Sequence, residues 1–133
     1  MKSTNALFAS ATFAAAALLW PSFARGVQPA QGAPRIDRDD IAGVVTGARG
    51  PEAGVWVIAE TSELPTKFAR IVVTDDRGRY LLPDLPPASY RIWVRGYGLV
   101  DSPKRPAKPG TTLNLRATAA PNPRAAAEYF PAG

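Results

Sequence analysis

The sequence predicts an all-β fold, a single β-sandwich domain. Between Ile41 and Ala117, short runs rich in β-branched and aromatic residues alternate with turn signals made of Gly, Pro, Asp and Ser. Several of these runs alternate apolar and polar residues with a period of two, which is typical of half-buried strands. The middle of the chain has no apolar pattern with a 3.6-residue period, so helices are not expected there. This combination favours a sandwich of short antiparallel strands.

The predicted strands cover residues 41–46, 54–60, 67–74, 80–82, 90–95 and 112–117. Gly78 closes a hairpin after the third strand, because glycine takes a positive φ without a steric clash. Pro83 ends the fourth strand, since proline cannot donate to a ladder, and residues 99–110 are expected to form a proline-rich loop.

Alternation predicts which side of each strand faces the core. Arginine prefers water, so the fifth strand should bury the face that lacks arginine. The side chains expected to point inward are Tyr90, Ile92 and Val94, Val55, Val57 and Ala59 of the second strand, and Leu113 and Leu115 of the sixth. Those expected to point outward are Arg91, Trp93, Arg95, Trp56, Ile58 and Glu60. The third strand is apolar on both faces, so its inward side stays open.

The two ends of the chain lack this pattern. Residues 1–24 have a positive Lys2, an apolar run and a small-x-small site at Ser22-Phe23-Ala24, which predict a Sec-type signal peptide of a bacterial periplasmic or secreted protein. The alternative is an uncleaved anchor; after cleavage no membrane span is expected. Residues 25–39 are expected to form a flexible leader and residues 118–133 a Pro/Ala-rich tail or linker with one helical turn.

The composition excludes several kinds of chemistry. The 133 residues contain no His and no Cys, which rules out a Ser-His-Asp triad, a Cys-His pair, a histidine-ligated metal and a disulfide. We therefore expect no enzymatic activity and no cofactor. The formal net charge of +5 is mild, and no basic patch with interleaved aromatics predicts nucleic-acid binding.

Several motifs together resemble the carboxypeptidase regulatory-like domain family. They are Gly43-Val44-Val45, Gly54-Val55-Trp56-Val57, the stretch 74–80, Leu85-Pro86-Pro87-Ala88-Ser89-Tyr90 and Gly96-Tyr97-Gly98. The resemblance covers residues 40–117 and implies an Ig-like or prealbumin-like, carbohydrate-binding-like sandwich of about seven strands. Two positions depart from the family, which usually has Gly in place of Asp84 and of Ala88. Ala does not readily take a positive φ, so a different turn is expected at Ala88.

The resemblance implies an accessory module without catalysis, attached to or associated with other proteins. The first functional hypothesis is therefore an interaction module that contacts a protein partner or an adjacent domain. The second is a carbohydrate-binding module that stacks a polysaccharide on Trp56 and Trp93. The third is the N-terminal domain of a truncated larger enzyme.

The candidate ligand or partner surface consists of Trp56, Trp93, Arg91 and Arg95. Exposed indoles surrounded by guanidinium donors would suit a sugar face or an aromatic group. The alternative is that the C-terminal tail, another domain or a second copy covers the indoles. The sequence does not show whether the two strands are adjacent.

Four further groups of residues are possible sites. Asp75 and Asp76 are weak candidates for Ca²⁺, against the simpler interpretation that they bond to their own turn. Tyr80 and Tyr90 are expected to pack in the core with their hydroxyls at its rim. The remaining charged groups are interpreted as solvated or as protecting a strand edge: Lys104, Arg105 and Lys108 in the loop, and Asp37, Asp39 and Asp40 before the first strand.

Overall fold

The computed structural model of the protein describes residues 32–129 and confirms the predicted all-β sandwich. Its elements are β1 (Ile41–Gly47), β2 (Gly50–Pro51), β3 (Trp56–Thr61), β4 (Phe68–Val73), β5 (Arg79–Leu82), β6 (Tyr90–Arg95), β7 (Leu99–Val100), β8 (Arg105–Ala107), β9 (Thr111–Thr112), β10 (Leu115–Arg116), β11 (Thr118–Ala119) and α1 (Pro123–Tyr129). The signal peptide and most of the leader lie outside the described residues. Within residues 32–129, no helix is long and apolar enough to cross a membrane.

Two sheets enclose the core. Sheet I has the strand order β4-β3-β6-β8, and all of its pairs are antiparallel. Sheet II is centred on β1, which pairs antiparallel with β5 and β2 and parallel with β9 and β10. A separate two-stranded ribbon joins β7 to β11.

The inward faces of the two sheets pack as the alternation predicts. The buried core side chains contributed by the second and fifth predicted strands are Val55, Val57, Ala59, Tyr90, Ile92 and Val94. Leu115 is buried in the core as expected, whereas Leu113 is only partly buried against it. On β4 the half-buried face carries Phe68 and Val72, which settles the orientation that the sequence left open.

The predicted sixth strand is interrupted, and Gly43 explains how the chain passes there. β9 and β10 keep one parallel register against β1, but Leu113 and Asn114 between them are not strand residues. A Cβ on Gly43 would lie 1.8 Å from the Leu113 carbonyl oxygen, so only glycine permits this approach. The Tyr80 hydroxyl donates to the same carbonyl at 2.6 Å, and the Asn114 side-chain oxygen accepts from the Val44 N–H at 3.0 Å.

Strands also form where the sequence predicts a loop and a linker: β7 and β8 lie within the expected loop 99–110, and β11 lies beyond residue 117. α1 corresponds to the helical turn expected in the tail. β8 forms because Ala107 and Arg105 pair with Tyr90 and Ile92 of β6, a long-range contact that local propensity does not reveal. Ordered pairing therefore extends past the predicted domain boundary.

The turn before β6 agrees with the expectation that Ala88 does not take a positive φ. Asp84 has a positive φ, at 51°, and it is the only non-glycine residue with one in residues 32–129. The family that the sequence resembles usually has glycine at both positions. Aspartate tolerates this conformation better than most residues because its short side chain bonds locally.

Candidate functional site

The outer face of sheet I carries the predicted ligand or partner surface. Cross-strand register brings Trp56 between Val73 and Arg95, Ile58 between Ile71 and Trp93, and Glu60 between Ala69 and Arg91. Directly opposed residues of an antiparallel pair share a face, so Trp56 and Trp93 lie on the same side of adjacent strands. This answers the question of adjacency that the sequence left open.

The expectation that Trp93 is exposed is wrong. Its side chain is 7 % exposed, and Lys104 places its ammonium 4.1 Å from the centre of the indole ring. Ile58 beside it is 6 % exposed, although neither residue belongs to the core between the sheets. The Trp93 Nε1–H is buried and has no hydrogen-bond partner among the described residues. Trp93 is therefore buried beneath Lys104 on the outer face, and it is not available to stack on a ligand together with Trp56.

The predicted arginine donors are engaged in ion pairs within the chain. Glu60 contacts Arg91 at 3.1 Å and Lys104 at 2.6 Å. Arg95 donates to both Asp101 carboxylate oxygens, at 2.8 and 2.6 Å, and this bond raises the pKa of its guanidinium. The charged side chains on the side of the outer face near β6 and β8 thus form ion pairs with one another, and these arginines do not surround an exposed indole.

The opposite side of the outer face is apolar and accessible. Ile71 and Val73 of β4 are 53 % and 55 % exposed, and Trp56 beside Val73 is 38 % exposed. These three residues form what we call the β3–β4 patch. Contiguous exposed apolar residues on a soluble domain mark contact surfaces more often than isolated ones do. Ile71 and Val73 were not predicted as site residues, because the sequence left the orientation of this strand open.

The Asp75 carboxylate forms its hydrogen bonds within its own hairpin. Its Oδ1 accepts the backbone N–H groups of Arg77 and Arg79, both at 2.9 Å, and its Oδ2 accepts the Arg79 Nε–H at 2.7 Å. Desolvation alone would raise the pKa of this carboxyl, but the hydrogen bonds from Arg79 and Arg77 outweigh it and lower the pKa below 3.8. The geometry is that of a turn, as the simpler interpretation had it, while Asp76 is exposed.

The two buried tyrosines serve the core. The Tyr80 hydroxyl donates to Leu113 O and the Tyr90 hydroxyl to Pro86 O, both at 2.6 Å. Burial raises the phenol pKa of each residue above 10.0. A phenol held neutral and bonded to a backbone carbonyl is a structural group, which agrees with the packing role expected from the sequence.

Three carboxylates lie close together at the end of the sandwich, which the sequence did not predict. Ligand atoms of Asp39, Asp40 and Asp84 lie within 4.8 Å of one another. Asp40 is buried and accepts the backbone N–H groups of Asp37 and Asp84, and the segment bonds through its backbone to Leu85 and Gly110. Asp39 and Asp40 therefore fasten this end of the sandwich, and do not form a charged edge. Three oxygens fall short of the roughly six to eight that Ca²⁺ takes.

The predicted basic loop cluster does not act as a unit. Lys104 lies over Trp93, Arg105 is exposed on β8, and Lys108 lines an open groove of about 490 Å³ with Arg38 and Asp39. A second open groove of about 440 Å³ runs between the Tyr97 turn and α1.

Comparison with known proteins gives a fold but no family. No protein-family model matches the sequence, and no curated protein matches it. Among solved structures, the chain is similar to a streptococcal ancillary pilin, with a TM-score of 0.50 and 14 % sequence identity. The match covers 65 % of this chain and 31 % of the pilin chain, so the protein corresponds to less than a third of that structure. At this identity the likeness shows the β-sandwich fold alone.

Proposed function

We propose that this protein is a non-catalytic accessory β-sandwich that contacts a protein partner or an adjacent domain through the β3–β4 patch. The observation that carries the proposal is the exposure of Ile71 and Val73, 53 % and 55 %, beside Trp56, which is 38 % exposed on the same sheet face. Aromatic and large apolar residues are enriched at the centres of protein interfaces. The paired Arg91, Arg95 and Lys104 then form a polar rim at one side of the patch.

The carbohydrate-binding alternative lacks its main support, because Trp93 is buried beneath Lys104. Trp56 alone offers less area for a sugar face than two indoles would. Location in the periplasm or outside the cell remains part of the proposal and rests on the predicted signal peptide. Kinship with the carboxypeptidase regulatory-like family rests on the quoted motifs and on the left-handed backbone of Asp84, where that family has glycine.

Site-specific photo-crosslinking in the producing cell tests this function. A benzophenone amino acid at position 73 lies in the patch, while the same probe at Arg105 lies on the exposed β8 edge of the same sheet and serves as control. We expect a protein adduct from position 73 that is absent or much weaker from position 105. Equal labelling at both positions, or none at position 73, would contradict the proposal. Titration with soluble polysaccharides, comparing wild type with Trp56→Ala, checks the carbohydrate alternative.

A further inference from the structure

β4 is an edge strand. Among residues 32–129 it pairs with one strand, β3, in a continuous register from Trp56–Val73 to Thr61–Phe68. It contains no Pro, no Gly and no bulge, three of the features that discourage pairing at an edge. A fourth feature, an inward-pointing charge, is present as Arg70, which lies 5.6 Å from the centre of the Phe68 ring. The opposite edge of sheet I differs, because β8 carries Pro106, which has no N–H, and an exposed Arg105.

The backbone direction of β4 follows from its last hydrogen bonds. The Thr74 N–H donates to Val55 O at 2.9 Å, and Thr74 O accepts from the Gly54 N–H at 3.1 Å. In an antiparallel pair, successive residues point their N–H and C=O groups alternately toward and away from the neighbour. Since Thr74 points toward β3, Val73, Ile71 and Ala69 point their backbone groups toward the free edge.

The same three residues expose their side chains on the outer face. A strand added at this edge would therefore find both free backbone groups and an apolar row next to it. This arrangement is the requirement for binding by strand addition, in which main-chain bonds supply affinity and alternate side chains supply specificity.

The charges at the two ends of β4 indicate which strand would pair with this edge. Lys67 precedes the strand, and Asp75, Asp76 and Arg77 follow it. Arg79 pairs with Asp75 at 2.7 Å, so Asp76 is the carboxylate that is available to a partner. An antiparallel copy of β4 centred on Ile71 brings Lys67 of each strand close to Asp76 of the other. A parallel copy would bring like charges together, which is destabilising. The strand is thus complementary to itself in one orientation.

We infer that β4 pairs antiparallel with β4 of a second copy of this chain, which rests on the proposed function and names its partner. In this register Ile71 opposes Ile71 of the second copy and Ala69 opposes Val73. All of these residues point their backbone groups to the free edge, so the pairing forms about six backbone hydrogen bonds. The two patches then join on one face of a continuous sheet across a two-fold axis, as in a closed isologous dimer.

Sedimentation equilibrium of the protein expressed from the 133-residue sequence tests the inference. We expect a concentration-dependent dimer. Ile71→Lys places two like charges at the axis and should weaken dimerisation at least about tenfold. Tyr97→Lys introduces the same charge at a residue that is 89 % exposed and follows β6, which β3 separates from β4, and it should leave the dimer unchanged. Thermal unfolding verifies that each variant is folded.

A charge-exchange experiment tests the orientation. Lys67→Glu alone and Asp76→Lys alone each bring like charges together and should both weaken self-association. A mixture of the two variants restores opposite charges at both ends and should form a heterodimer. Asp76 is chosen because Asp75 is required for its own turn. Heterodimerisation no stronger than either variant's self-association would overturn the antiparallel register.

The two proposals fail differently. A wild-type protein that stays monomeric at all concentrations overturns the inference, and so does an Ile71→Lys variant that dimerises as tightly as wild type. If position 73 still crosslinks to a different protein, the proposed function survives while the second copy is excluded as partner. If position 73 gives no protein adduct and the protein is monomeric, both proposals are wrong.

Discussion

Replacing Tyr80 with phenylalanine should destabilise the protein at neutral pH and change its response to alkali. The Tyr80 hydroxyl is 2.6 Å from Leu113 O, and the residue is 2 % exposed. Tyr80→Phe keeps the ring but removes the donor, which leaves the partly buried Leu113 carbonyl without this bond. The expected cost is about 1–2 kcal/mol at pH 7.

The alkaline response follows from the raised pKa of Tyr80. Above pH 10.0, the ordinary value for tyrosine, the phenol ionises in the unfolded chain but stays protonated in the folded protein. The folded state then holds more protons, so stability falls as pH rises toward the folded pKa, by up to about 1.4 kcal/mol per pH unit. Tyr80→Phe lacks this loss, so wild type and variant should converge by about pH 11. Tyr90, which also has a raised pKa, is present in both proteins and cancels.

Urea denaturation of both proteins at pH 7, 10 and 11 measures this difference, with Tyr97→Phe as a control. Tyr97 is 89 % exposed, so its substitution should leave the free energy of unfolding unchanged at every pH. If the gap between wild type and Tyr80→Phe stays constant from pH 7 to pH 11, the assignment of Tyr80 as a buried neutral donor is wrong.

Three further substitutions test other parts of the structure by thermal unfolding. Gly43→Ala should cost more than about 3 kcal/mol or abolish folding, since its Cβ would lie 1.8 Å from the Leu113 carbonyl oxygen; a stable variant would contradict the close approach. Asp84→Gly should be about 1 kcal/mol more stable than Asp84→Ala, because φ is 51° there, and equal stability would refute the role of backbone conformation. Asp75→Asn should lower the melting temperature at pH 7. The lowered pKa stabilises the fold above pH 3.8 and that contribution is lost as pH falls through the folded value, so a gap that persists at pH 2 would count against it.

Alternation and turn residues predict most of this fold. β6 spans the predicted residues 90–95, because a clean two-residue period with arginines on one side leaves a single way to bury the strand. β8 and β11 were not predicted, since their strand conformation comes from partners distant in the sequence. The interruption at Leu113 and Asn114 was also missed, because it depends on the space that Gly43 leaves on a strand about 70 residues earlier.

The candidate surface was predicted only in part. Strand periodicity correctly placed Trp56 and Trp93 on one face, but it cannot tell what lies above a side chain. Lys104 reaches Trp93 because the chain returns as β8 beside β6, which is a tertiary contact. The exposure of Ile71 and Val73 was not predicted, because β4 is apolar on both faces. Only the packing of Phe68 and Val72 against the core shows which residues of this strand face outward.

The role of β1 as the hub of sheet II has a consequence for how the chain folds. β1 is the first strand of the sandwich, yet Val44 bonds to Asn114, 70 residues later, and β10 pairs with Val45. The chain must lose the entropy of closing a loop of this length before the strand pairing can stabilise it, and this requirement slows folding. As the chain emerges in order of synthesis, one side of β1 stays unpaired until residues 111–116 arrive. A chaperone that shields β1 during this interval should therefore raise the yield of folded protein more than one that shields the later hairpins.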